Sequence, residues 1–91
     1  MMITQATHVS VGDEVWEVRY RIRKQGAIGE WHDSYPVACI AETMQEALDM
    51  AREYYYQKGL ECQFPVYCKH TDCKQTGKAP ECTVIRQDED K

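Results

Sequence analysis

The sequence predicts an α+β fold: a curved antiparallel sheet of three to five strands with one α-helix packed on one face, in (β)ββαβ(β) order. Three observations carry that reading. Residues 16–23 alternate apolar and polar side chains; Thr43-Met44-Gln45-Glu46 is a capping box ahead of helical periodicity; and alternation returns at Leu60. The 91 residues read as a single domain, 1–91, of a size that buries only about 60–65 % of its unfolded surface.

In VWEVRYRIRK, Trp16, Val18, Tyr20 and Ile22 share one face and Glu17, Arg19, Arg21 and Arg23 the other, as in a half-buried strand. Gln25-Gly26-Ala27-Ile28-Gly29 is a hairpin loop, and residues 30–37 return with Trp31, Tyr35 and Val37 as apolar members. Parity selects a register: Ile22 faces Trp31, Val18 faces Tyr35, Trp16 faces Val37, with Arg23 against Glu30 and Arg21 against His32 behind. Asp33, opposite Tyr20, is the one misfit on the apolar face.

The capping box opens a helix over residues 44–58, its apolar face formed by Met44, Ala47, Leu48, Ala51 and Tyr55. Gly59 supplies the left-handed residue that ends it. Tyr54, Tyr55 and Tyr56 span about 200° of helix, so Tyr55 reads as core and Tyr56, with Tyr54, as solvent-facing and open to a partner. Leu60, Cys62, Phe64, Val66 and Cys68 share one face of the next strand, in which Pro65 suits only an edge or a bulge. Residues 69–81 read as a long Cys- and His-bearing loop, 82–86 as a short last strand and 87–91 as an acidic tail. Residues 7–11 form one further strand, turning at Gly12-Asp13. The expected core is Trp16, Val18, Tyr20, Ile22, Trp31, Tyr35, Leu48, Ala51, Phe64 and Val66.

Composition excludes several classes. The longest apolar run, residues 37–41, falls far short of the roughly 20 residues of a membrane span. MMITQATHVS has neither the basic start nor the apolar stretch of a secretory signal, so the chain is expected in a reducing cytoplasm. A net charge of −4 argues against a dedicated DNA-binding protein. There is no Gly-rich phosphate loop, His-Glu-x-x-His or paired-carboxylate pattern. His8, His32 and His70 are dispersed and Cys39 lies in an apolar run, so no catalysis is expected.

Two constellations remain. Arg19, Arg21 and Arg23 stand about 6.6–6.8 Å apart on one strand face, a row suited to phosphates or to carboxylates of a protein. With Lys24, His32 and Tyr56 they are the candidate partner-binding residues, and Trp31 and Tyr67 could add stacking. One helix covers one face, so the arginine face is expected to be open; the bland alternative is a solvated face neutralised by Glu17 and Glu30. In the last third, Cys68, His70, Cys73 and Cys82 offer four soft ligands, enough for a tetrahedral zinc, at a spacing that matches no standard knuckle. Reduced structural thiols and a Cys68–Cys82 cross-link are the other options, so no cofactor is required, zinc being the one left open.

The hairpin VWEVRYRI…GEWHDSYPV and the helix TMQEALDMAREYYYQKG resemble, in size and architecture, small phage-encoded anti-CRISPR proteins. That resemblance implies a non-enzymatic inhibitor in the bacterial host cytoplasm. Its partner would be a CRISPR surveillance complex of the multisubunit type I, kept from target DNA by contacts to Cas subunits and guide-RNA phosphates. The alternative is a small, zinc-stabilised nucleic-acid-binding or regulatory module. The double-stranded-RNA-binding fold also packs helices on one sheet face, but this chain has no helix ahead of its first strands and no basic helix N-terminus.

Overall fold

The alternating segment is the axis of the sheet. The computed structural model describes residues 2–6, 9–71 and 82–87. Along them run β1 (Ile3–Gln5), β2 (Val15–Lys24), β3 (His32–Asp33), β4 (Val37–Ile40), α1 (Met44–Gln57), β5 (Leu60–His70) and β6 (Thr83–Gln87). β3 and β4 share one flank of β2, β5 takes the other, and β6 then β1 continue the sheet beyond β4. β4 and β6 pair in parallel and the remaining pairs are antiparallel, so the α+β fold carries a mixed, six-stranded sheet. Among the described residues no helix is long and apolar enough to cross a membrane.

The helix begins where the capping box requires. Thr43 is extended and its Oγ1 accepts from the Glu46 N–H at 3.2 Å. Gly59, at φ 83°, ends the turn and donates to the Tyr56 carbonyl at 3.0 Å. Ala47, Met50, Ala51, Tyr54 and Tyr55 are buried, while Met44 is exposed and Leu48 partly buried. Tyr54 turns inward, against expectation, because β1 widens the sheet beneath the helix and Gln5 Nε2 donates to its hydroxyl at 3.3 Å. Thr43→Ala should cost about 1 kcal/mol and lower the melting midpoint by roughly 4–8 °C. An unchanged midpoint in calorimetry would contradict the cap.

The returning arm of the hairpin departs from the expected register. Val18 faces Val37 and Trp16 faces Cys39 in β4, whereas Ile22 faces His32 and Arg21 faces Asp33 in β3. The chain changes register over residues 34–36, where Pro36 lacks the N–H a ladder needs. Ser34, 3 % exposed, repairs the gap: its N–H donates to the Tyr20 carbonyl at 2.8 Å and its Oγ accepts from the Tyr20 N–H at 3.1 Å. The slip moves Trp31 out of the core, puts His32 opposite Ile22 rather than Arg21, and gives Asp33 an arginine. Tyr35 keeps a ring contact with Tyr55 but is 54 % exposed, a margin residue and not core.

Two register shifts in β5 explain a second correction. They fall between Arg19 and Tyr20 and between Tyr20 and Ile22, so Pro65 stands opposite the inward Tyr20. Strand alternation is inverted between them. Leu60, Cys62 and Cys68 pack against the core, but Phe64 and Val66 are 51 % and 41 % exposed. β5 also continues to His70, into the segment read as loop. The N-terminal strand is Ile3–Gln5, paired with β6; residues 9–11 are irregular, and Thr7, His8, 72–81 and the tail 88–91 lie outside the described residues.

The main core sits between sheet and helix: Val18, Tyr20, Ile22, Val37, Cys39 and Ile85 meet Ala47, Met50, Ala51, Tyr54 and Tyr55. A second cluster, Val9, Val15, Ala38 and Val84, lies on the reverse face. β4 is therefore buried on both sides, as its unbroken apolar run allows. The reverse face is thus covered at its Val15 end and carries the arginines only from Arg19 onward.

Candidate functional site: an arginine and aromatic face

Alternation along β2 puts Arg19, Arg21 and Arg23 side by side on the reverse face, and the neighbouring strands and the loop ahead of β3 supply partners for two nitrogens each of Arg21 and Arg23. The Arg23 guanidinium lies 4.2 Å from the centre of the Trp31 ring. Its Nε is 2.5 Å from Glu61 Oε1, and Nη1 reaches the Gly29 carbonyl at 3.4 Å. Arg21 pairs with Asp33 at 3.3 Å and donates to the Trp31 carbonyl at 3.1 Å. Arg19 lies 5.9 Å from the Tyr67 ring centre and has no ion pair among the described residues. The Nε atoms of Arg19 and Arg21 are buried without a hydrogen-bond partner there.

Tyr67 organises the far end. Its hydroxyl donates to Glu17 Oε2 at 2.5 Å, and Lys69 Nζ lies 3.8 Å from the same oxygen. Burial first, then the Glu17 carboxylate, pushes the Tyr67 hydroxyl up to about 12; burial likewise pushes Tyr20, which donates to the Leu48 carbonyl at 3.2 Å, up to about 12. Both folded values lie above the ordinary 10, so the stability these phenols contribute is complete below pH 10 and is lost as pH rises toward 12. The melting midpoint should fall across that window, with tyrosinate absorbance lagging behind that of free tyrosine. Ordinary tyrosinate formation near pH 10 would contradict these contacts.

Of the six candidate contact residues, the fold unites only the three arginines. Lys24 is exposed but shares the register of Leu60, so alternation turns it away from Arg23. His32 is exposed in register with Ile22, on the helix side. Tyr56 is exposed on the helix, which covers the opposite face of the sheet. Sequence reasoning passed over Glu61, Lys69 and the outward Phe64. Trp31 and Tyr67 do belong to this face; Trp31 already holds the Arg23 guanidinium 4.2 Å from its ring centre, whereas Arg19 lies 5.9 Å from that of Tyr67.

The thiols of Cys39, Cys62 and Cys68 are free, so the Cys68–Cys82 cross-link is not formed. Cys68 packs on the main core and Cys82 on the reverse-face cluster, while His70 engages Glu14 and lies tilted against Trp16, ring centres 4.7 Å apart. Cys73 lies outside the described residues. Among the described residues no group of three or more His, Cys, Asp or Glu is placed to hold a metal ion. Burial pushes the Cys39 thiol strongly upward and that of Cys62 up to about 11, which keeps both protonated and poorly nucleophilic at neutral pH. A cleft of about 470 Å³ is lined by Glu17, Tyr35, Pro36, Cys82 and Thr83. With one carboxylate and no histidine among those residues, it offers no acid–base pair.

Comparison with known protein families, with curated proteins and with solved structures found no match to this chain.

Proposed function

We propose that this chain is a non-enzymatic binding protein that acts by covering the surface of a larger partner. The intended class is the small inhibitor that phage or mobile elements direct against a bacterial defence ribonucleoprotein, here a type I CRISPR surveillance complex kept from its target DNA. The observation that supports it is the reverse face itself. Arginine, tryptophan and tyrosine dominate the energetics of protein interfaces, and here they gather on one face, with the exposed apolar Phe64 and Val66 on the strand paired with β2.

The charge pattern favours protein over nucleic acid as the direct contact. Asp33 faces Arg21, Glu61 faces Arg23 and Glu17 faces Lys69. Little positive charge is left to displace counterions from a phosphate chain, consistent with the overall charge of −4.

The test is inhibition of target-duplex binding by a purified type I surveillance complex, followed by gel mobility at about 50 and 200 mM salt. The reading expects a block near one-to-one stoichiometry, little affected by salt and lost in an Arg19→Glu, Phe64→Ser double variant. Unhindered duplex binding at saturating protein, together with direct and steeply salt-dependent binding of bare nucleic acid, would overturn it in favour of a nucleic-acid-binding module.

A further inference from the structure

The three guanidinium groups are not equivalent, and from their difference we infer that Arg19 is the anchor for a single Asp or Glu side chain of the partner; this rests on reading the face as protein-binding. Arg23 is committed to Glu61, the Gly29 carbonyl and the Trp31 ring. Arg21 is committed through both terminal nitrogens to Asp33 and the Trp31 carbonyl. Arg19 has only the edge of an interaction with Tyr67, at 5.9 Å; among the described residues its Nε, like that of Arg21, is buried without an acceptor, and its terminal nitrogens have no ion pair. The carboxylate two positions along the strand, Glu17, is drawn off by the Tyr67 hydroxyl and Lys69.

Arg19 therefore keeps its capacity for a charge-assisted pair in the middle of the strand, opposite Tyr67 of β5, which also carries the exposed Val66 and Phe64. A planar guanidinium among apolar groups that exclude water accepts a carboxylate in a two-pronged geometry and gains most from doing so. A phosphate chain running along the strand would meet Glu17 on one side of Arg19 and Asp33 and Glu61 on the other, which repel it. A lone carboxylate flanked by aliphatic side chains meets no such conflict.

The probes are acetyl-Leu-Glu-Leu-amide, its Gln counterpart and a six-residue oligouridylate, titrated into the full chain while arginine Nε–H and valine methyl resonances are followed. The expected result is saturable movement of Arg19 Nε–H and the Val66 methyls with the Glu peptide, Arg23 staying still. The Gln peptide should bind at least about tenfold more weakly, the discrimination a charge-assisted hydrogen bond carries. Arg19→Gln, with an otherwise unchanged spectrum, should abolish the preference for Glu. Equal binding of the two peptides, no saturation, or equal movement of all three arginines would overturn the anchor and leave the protein-binding reading standing. Tighter binding of oligouridylate than of the Glu peptide would overturn both.

Discussion

Tyr55→Ala is expected to bring the fold to the edge of stability. Tyr55 is fully buried and its hydroxyl closes a chain of bonds: it accepts from Ser34 Oγ at 2.9 Å and donates to the Tyr35 carbonyl at 2.7 Å. The same Ser34 Oγ satisfies the Tyr20 N–H, so one side chain of the helix holds the irregular stretch where the hairpin changes register. Truncating a buried aromatic costs about 3–5 kcal/mol, against a total on the order of 5–14 kcal/mol for a domain of this length. Tyr55→Phe keeps the packing and should still cost about 1–3 kcal/mol, because the buried Ser34 hydroxyl loses its acceptor and the part-buried Tyr35 carbonyl its donor. Urea unfolding followed by circular dichroism measures both. A phenylalanine variant as stable as the parent would mean that the register change is held by something other than this network.

Arg19→Glu should weaken partner binding by about 100-fold or more, the range of a central interface anchor, while shifting stability by no more than about 0.5 kcal/mol. The contrast with its neighbours is the informative part. Arg23→Ala removes the pair with Glu61 and uncovers the Trp31 ring, so it should cost about 1 kcal/mol of stability in addition to any binding. Removing all three arginines together would mix the two effects, since Arg21 and Arg23 also fasten β3 and the loop before it to β2. Titration calorimetry against the surveillance complex, with thermal melts of each variant, separates them. Parent-like binding by Arg19→Glu would remove Arg19 from the interface.

The helix, its caps and the two-sided character of β2 were legible because each rests on local rules: a cap oxygen three residues from its amide, a period of two, a glycine with positive φ. The hairpin register was not, and the reason is specific. Parity over residues 30–37 assumes an unbroken ladder, whereas Pro36 cannot donate and Ser34 can pair through its side chain. The signal was nonetheless present in Asp33, the misfit on the apolar face, which marks the slip that gives Arg21 its carboxylate. Likewise Pro65 was read as an edge or bulge residue, but the consequence, Phe64 and Val66 turned out of the core, depends on where the two shifts fall along β2. The unbroken run at residues 37–41 is the pattern of a strand buried on both faces, a signal that the expectation of an open reverse face leaves unused, and the second cluster covers part of that face. Within the candidate site, the arginine row was readable from alternation alone. That Glu61 and Asp33 would occupy two of its members, leaving the third open, depends on cross-strand neighbours that only the tertiary fold brings together.

The most direct measurement is hydroxyl-radical footprinting of the protein, free and in complex with its captured partner. Protection concentrated at Phe64 and Tyr67 of β5 and at Trp31 just ahead of β3, with Met44 and Tyr56 on the helix labelled as in the free protein, is the outcome that this account requires. Protection of the helix side, with the sheet aromatics left as reactive as before, would show that recognition takes place on the other side of the molecule.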